Sequence, residues 1–273
     1  MSASPPDLTL LPATSVPVED TTAPLRFSFV SLVTNPEQYT AMVESFIAKG
    51  FTTDICEYLY GDNRGGNAFD GFSGLNRLIR AARGTYVICL HQDVVASDDG
   101  IDVLEERLAD LHRCDPNWGV AANAGRVGKQ YHLRISDKHG MQRKRGDLPS
   151  QVNVVDENFF ILRRDRLVFL SYDLKGFHLY GLDIVLKAQA LGLTAYAIDF
   201  LVTHMGAATV DERYLACQDQ FEAKMEKLMP NRVVQTLAEP IELRGHRYRF
   251  FYRSLRRYLR RQKILRRAER QKR

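Results

Sequence analysis

Three groups of residues in this sequence have types and spacings that could do chemistry. The first is His91-Gln92-Asp93, which closes the apolar run Thr85-Tyr86-Val87-Ile88-Cys89-Leu90. On an extended backbone side chains alternate, so His91 and Asp93 point the same way. Asp93 offers a hard oxygen and His91 a borderline nitrogen, a pair suited to a divalent metal. A second reading of the same fragment is a strand end capped by polar residues in a turn. The next group is Asp156-Glu157, two acids inside the otherwise apolar stretch Val152 to Leu162. Burying either costs free energy unless it is partnered, which makes both candidates for a site. The third is Phe177 to Ala190, where Asp183 opens a helical pattern and suits an N-cap.

Elements that alternate strand and helix must position these groups. Leu25 to Val33 reads as a first strand, broken by Thr34-Asn35-Pro36. Gln38 to Gly50 carries Tyr39, Met42, Val43, Phe46 and Ile47 at helical spacing. Asp54 to Tyr60 is a second strand, closed by Gly61-Asp62-Asn63. Leu75, Leu78, Ile79 and Ala82 share a helical face that ends at Gly84 and feeds directly into the strand before His91, half of a βαβ unit. In open α/β sheets ligands bind at the carboxyl ends of strands, where His91 and Asp93 stand. A helix over Ile101 to Arg113 follows, then a small-residue strand from Trp118 to Gly125. Residues 136–150 read as a long polar connection, and its Arg143-Lys144-Arg145 run as solvated. Val152 to Leu162 and Leu193 to Leu201 read as strands, and 211–229 as a helix stopped by Pro230. No Gly-x-Gly-x-x-Gly follows the first strand and no Gly-Lys-Ser/Thr loop is present, which argues against dinucleotide-dehydrogenase and NTPase readings.

Composition narrows the class further. The chain has 273 residues, a length that suits one sizeable α/β domain. Its net charge of +5 is unevenly placed, because 244–273 holds 14 Lys/Arg against the single acid Glu269. The rest of the chain is therefore acidic, and the basic character belongs to the tail. Tyr248, Phe251, Tyr252, Leu255, Tyr258 and Leu259 recur there at helical spacing, which predicts a basic amphipathic helix over 241–273. Such a helix suits an anionic membrane surface or packing on the domain. Nucleic acid could use the same charge, but the acidic body speaks against it. Residues 1–24 carry five of the ten prolines and read as a disordered leader, leaving 25–240 as the folded domain. The four cysteines are scattered, which predicts a reducing compartment, and neither a secretory signal nor a transmembrane run is expected.

The string from Asn76 through Ala82, Gly84, Tyr86 and Asp93 resembles the family 2 glycosyltransferases of the GT-A fold. His91-Gln92-Asp93-Val94 is more similar to the branch named after the streptomycin biosynthesis protein F. The resemblance covers roughly 26–230 and implies a nucleotide-diphospho-sugar transferase fold, with a mixed, mostly parallel central sheet flanked by helices. It also implies a metal site in which His204 joins Asp93 around Mn²⁺ or Mg²⁺, with His91 as a further candidate ligand. Thr34, Asn35, Asp62, Asn63, Asn76, His91 and Gln92 fall, with Asp93, at donor-binding places of the family. Ordinary turn and cap chemistry is the alternative at several of them.

In the family's pattern the general base stands two residues before the aspartate matched by Asp183, and here that place is Gly181. The family also has a small residue where this chain has Glu157. The base would then be Asp183, Asp156 or Glu157; otherwise the domain binds a sugar nucleotide or a partner without turnover. The resemblance thus implies a metal-dependent, inverting transfer of a sugar from a nucleotide-diphosphate donor to a glycan or lipid-linked hydroxyl. A cytoplasmic location, at the inner face of the membrane if the tail binds lipid, is expected with it.

Overall fold

The structure is a computed structural model that describes residues 25–206, 211–243, 259 and 262. The leader at 1–24 and nearly all of 244–273 lie outside the described residues, and with them the expected basic helix. Residues 241–243, placed in that helix by the sequence pattern, belong instead to a strand.

The first half follows the expected alternation: β1 (Leu25–Val33), α1 (Pro36–Ala48), β2 (Cys56–Asp62), α2 (Gly71–Ala81), β3 (Gly84–Leu90), the short β4 (Val94–Val95) and α3 (Ile101–Cys114). Helix α1 starts on a proline, and the Asn35 side chain caps it by accepting from the Gln38 amide at 3.0 Å. Asp70 caps α2 by accepting from the amides of Phe72 and Ser73. Gly84 does not end α2, which stops at Ala81; it is the first residue of β3, and packing requires it. A Cβ there would lie 2.6 Å from the backbone of Phe27 and Ser28 on β1.

The second half departs from single long strands. Trp118–Ala122 (β5) and Ala124–Val127 (β6) join different sheets, with Asn123 at the break. The polar connection after β7 (Gln130–Asp137) is largely a hairpin whose return strand β8 (Gln142–Arg145) is exposed. After the short β9 (Ser150–Gln151), the expected strand from Val152 to Leu162 is two strands, β10 (Val154–Val155) and β11 (Phe159–Arg163), so Asp156 and Glu157 stand in the turn between sheets. Then come α4 (Tyr180–Ala190), β12 (Thr194–Ala197), β13 (Val202–His204), α5 (Glu212–Leu228) and the hairpin β14 (Arg232–Gln235)–β15 (Pro240–Leu243).

The main sheet is seven-stranded and mixed, in the order β2-β1-β3-β11-β5-β12-β9. β1 pairs in parallel with β2 and β3, and β5 with β12, while β11 runs antiparallel to both its neighbours. A smaller sheet, β10-β6-β7-β13-β4, lies beyond it. Helices cover both faces of the main sheet. On β3, Val87 and Cys89 enter the core cluster shared with α2 and α4, while Ile88 and Leu90 enter the one shared with α1 and α3. A strand buried on both faces must be apolar throughout, which is why this segment carries no polar alternation. All four cysteines are unpaired, and among the described residues no helix is long and apolar enough to cross a membrane.

Candidate functional site

The site lies at the carboxyl end of β3. In the order β2-β1-β3-β11-β5, the connection leaving β1 runs to β2 on one side and the one leaving β3 runs toward β5 on the other, and ligands in open α/β sheets bind in the crevice at such a switch point. Gln92 stitches this point together. Its Oε1 accepts from the amides of Thr34 and Asn35 at 2.8 and 2.9 Å, and its Nε2 donates to Thr34 Oγ1 at 2.9 Å. Gln92 thus joins the end of β1 to the end of β3 and fixes where His91 and Asp93 sit.

His204 arrives through a strand pairing. β13 runs antiparallel to β4 with His204 opposite Val94, the residue after Asp93. The Met205 amide donates to the Asp93 carbonyl at 2.9 Å, and His204 Nε2 lies 3.4 Å from Asp93 Oδ1. One ligand atom from each of His91, Asp93 and His204 lies within 4.8 Å of the other two, close enough for one ion to touch all three. Gly206 makes room for the cluster, since a Cβ there would meet Asp93 Oδ2 at 2.4 Å.

Charge and burial oppose each other at these groups. Loss of water works to raise the Asp93 carboxyl, but the hydrogen bond from His204 and the charges of His204 and His91 hold it below its ordinary value. Burial pulls His204 down, yet the hydrogen bond and charge of Asp93 leave it raised. His91 is lowered, first by burial and then by repulsion from His204. Two imidazoles and a carboxylate facing one point, with like-charge repulsion between the rings, form a donor set that a divalent cation fits.

The cluster opens into a cavity of about 1020 Å³. Thr34, Asn63, Gln92, Asp156 and Glu157 also line it, as do Lys175, His178, Tyr180, Arg213 and Tyr214 from the α4 and α5 side. Glu157 reaches the N-terminus of α4, where the Gly181 amide donates to its Oε1 at 3.1 Å. Water stripped from this half-buried carboxyl raises its pKa to about 8; the Gly181 amide works against that rise and the neighbouring Asp156 adds to it.

No family model matches the sequence. A protein of Fuscovulum blasticum described as "ATP synthase subunits region ORF 6" is 39% identical over 231 residues, spanning 82% of this chain and 93% of that protein. The chain belongs to the ORF 6 family. Among solved structures it is similar to the mannosyltransferase PcManGT from Pyrobaculum calidifontis, in complex with GDP-Man and Mn²⁺. The identity is 13% and the TM-score 0.47, over 74% of this chain and 62% of the mannosyltransferase. It is also similar to A197 from STIV, at 12% identity and a TM-score of 0.39, over 84% of this chain and 99% of that one.

In this ORF 6 family member, four residues singled out in the sequence do not line the cavity. Asp183 is 0% exposed, and its two oxygens accept from the Ser171 amide and hydroxyl at 2.7 and 2.6 Å. Asn76 is also buried, donating to the Leu170 carbonyl at 3.0 Å and accepting from the Leu170 amide at 2.8 Å. The two side chains clasp consecutive residues of the segment that precedes α4. Asp62 is exposed and paired with Arg64, whose hydrogen bonds hold its carboxyl down at about 2. Asn35 spends its side chain on capping α1. Asn63, by contrast, lines the cavity while its amide closes the glycine-rich loop through Phe69 N and O.

Two further residues border the cluster, Tyr180 and Gly206. Tyr180 looks like an ordinary aromatic at a helix start, and its partners come from three separate segments. Gly206 carried a signal in its position two residues after His204, but the reason for a glycine is the approach of Asp93.

Proposed function

We propose that the chain is a metal-dependent glycosyltransferase that moves a sugar from a nucleotide-diphosphate donor to a hydroxyl acceptor with inversion. The observation that carries this reading is the convergence of His91, Asp93 and His204 at the β1/β3 switch point, at the edge of a cavity large enough for a sugar nucleotide. These three side chains would hold the cation. Their mix of imidazole and carboxylate suits Mn²⁺ better than the all-oxygen preference of Mg²⁺. Bound there, the cation supplies charge neutralisation for the departing nucleoside diphosphate. Thr34, Asn63 and Gln92 line the donor side of the cleft.

Glu157 is the carboxylate placed to accept the acceptor's proton, with Asp156 beside it. A Cβ at Gly181 would lie 2.5 Å from the Val155 carbonyl oxygen and 3.0 Å from Glu157 Cγ, so the approach of the β10 backbone excludes a side chain at 181 and Glu157 packs over the glycine. The carboxyl then comes from the β10–β11 turn. The acceptor is a glycan or lipid-linked hydroxyl, and the basic stretch 244–273 would face an anionic membrane.

Calorimetric titration with a panel of sugar nucleotides, with and without Mn²⁺, tests the reading. The expected result is cation-dependent binding of at least one donor, lost in Asp93→Asn and His204→Ala. Donor binding with no turnover toward any acceptor would point to a binding module, and no cation-dependent donor binding at all would sink the transferase.

A further inference from the structure

We infer that Tyr180 is a positioning residue that presents His91 to the cation and links the cation site to the turn carrying Glu157. The inference rests on the cation reading above and concerns a residue outside the ligand cluster. His91 Nε2 lies 2.8 Å from Tyr180 Oη, and the Tyr180 hydroxyl donates to the Glu157 carbonyl oxygen at 3.4 Å. A phenol has one proton to give. The phenol engages Nε2, which leaves Nδ1 for a cation. A cation on Nδ1 puts the ring proton on Nε2, which then donates to Tyr180 Oη while the phenol's own proton turns to the Glu157 carbonyl. Nδ1 then binds through its lone pair, the form in which a neutral imidazole binds a metal. Metal-binding histidines commonly donate their second ring nitrogen to such a partner, which sets both tautomer and ring orientation.

The rest of the structure holds the phenol in place. Tyr180 is the first residue of α4 and 5% exposed. Its ring packs edge-on against Phe72, with centroids 6.2 Å apart, and against Phe160 at the same separation. A Cβ at Gly71 would come within 3.2 Å of the ring, so the start of α2 lies close to it as well. The next residue, Gly181, donates its amide to Glu157 Oε1 at 3.1 Å. Two consecutive residues of one helix turn therefore hold the ligand His91 and both ends of Glu157, its backbone carbonyl and its carboxyl. Movement of that turn changes both together.

Tyr180→Phe keeps the ring and its packing and deletes only the hydroxyl. Mn²⁺ affinity, followed by the loss of the free-ion electron paramagnetic resonance signal, should fall about 10- to 100-fold in this variant. Phe72→Leu serves as the control, because it disturbs the packing of the ring but leaves the hydroxyl, and it should bind Mn²⁺ as the parent does. Melting curves of both variants show that each is folded under the titration conditions. Unchanged Mn²⁺ affinity in Tyr180→Phe would overturn the inference, as would an equal loss in Phe72→Leu, which would assign the effect to packing. A parent chain that binds no Mn²⁺ refutes the cation site itself, and this inference with it. Cation-dependent donor binding that persists beside an unaffected Tyr180→Phe removes only the role of Tyr180.

Discussion

Replacing Glu157 by Gln should make the protein more stable while stopping turnover, and the stability gain should depend on pH. The carboxyl's ordinary value is 4.5, and its surroundings raise it to about 8 in the folded chain. The folded state therefore holds this proton more tightly than the unfolded state does. Below about 4.5 the group is protonated in both states and costs nothing. Between about 4.5 and 8 the unfolded chain releases the proton first, so stability falls as pH rises, and above 8 the full penalty is present. The whole shift corresponds to about 5 kcal/mol. Glu157 is only half-buried and faces a cavity that admits water, so screening should reduce the shift and the penalty together, the penalty to about 2 kcal/mol, with the change concentrated at the acidic end of that range. Denaturant titrations of parent and Glu157→Gln at intervals from about pH 4 to 9 should show a stability difference that widens as pH rises and levels once the folded carboxyl is ionised. Donor and Mn²⁺ affinity should be unchanged in the variant, while turnover falls by at least ~100-fold. A stability difference that is constant across this range would refute the placement of a destabilised carboxyl beside α4. Full turnover in Glu157→Gln would remove its role as proton acceptor and leave the donor site standing.

Further expectations follow from the same geometry. Gly206→Ala should weaken Mn²⁺ binding about 10-fold or more, because the added methyl falls on Asp93 Oδ2, while the exposed position leaves the melting temperature nearly unchanged. Equal cation affinity in parent and variant would show that Asp93 is not held where this site needs it. Asn76→Ala and Asp183→Ala should each destabilise the fold by about 1–3 kcal/mol, since each strands buried partners on Leu170 or Ser171. Asp183→Asn, assayed well below its melting temperature, should keep most of its turnover. A folded but inert Asp183→Asn chain would return Asp183 to the role of base.

Much of the fold is legible in the residues because its information is local. The helices α1, α2 and α3 follow from apolar spacing and caps, and the apolar run of β3 ends at the polar triplet that turns out to border the cavity. Length and periodicity say less about the second half. Val152 to Leu162 is apolar on either side of two acids, and only the sheet pairings show that the chain changes sheets there, leaving Asp156 and Glu157 in a turn. The polar stretch 136–150 likewise resembles a loop by composition, yet its backbone finds a partner in β7.

By itself the sequence determined that a doubly buried strand ends in an imidazole and a carboxylate, because an unbroken apolar run is local information. The two meet through the turn at Gln92–Asp93, closed by the Val94 amide on the His91 carbonyl, and not through strand alternation. The family resemblance names His204 as their partner, but only the tertiary structure shows how it reaches them. His204 reaches Asp93 only because β13 pairs with β4, more than a hundred positions earlier in the chain. Asn76 and Asp183 have the residue types of a site, but packing aims them at Leu170 and Ser171. Gly181 is required by the approach of the Val155 carbonyl, and its amide is what Glu157 meets. Each of these outcomes depends on which backbone atoms lie within a few ångströms across long loops, and periodicity within one segment carries no information about that distance.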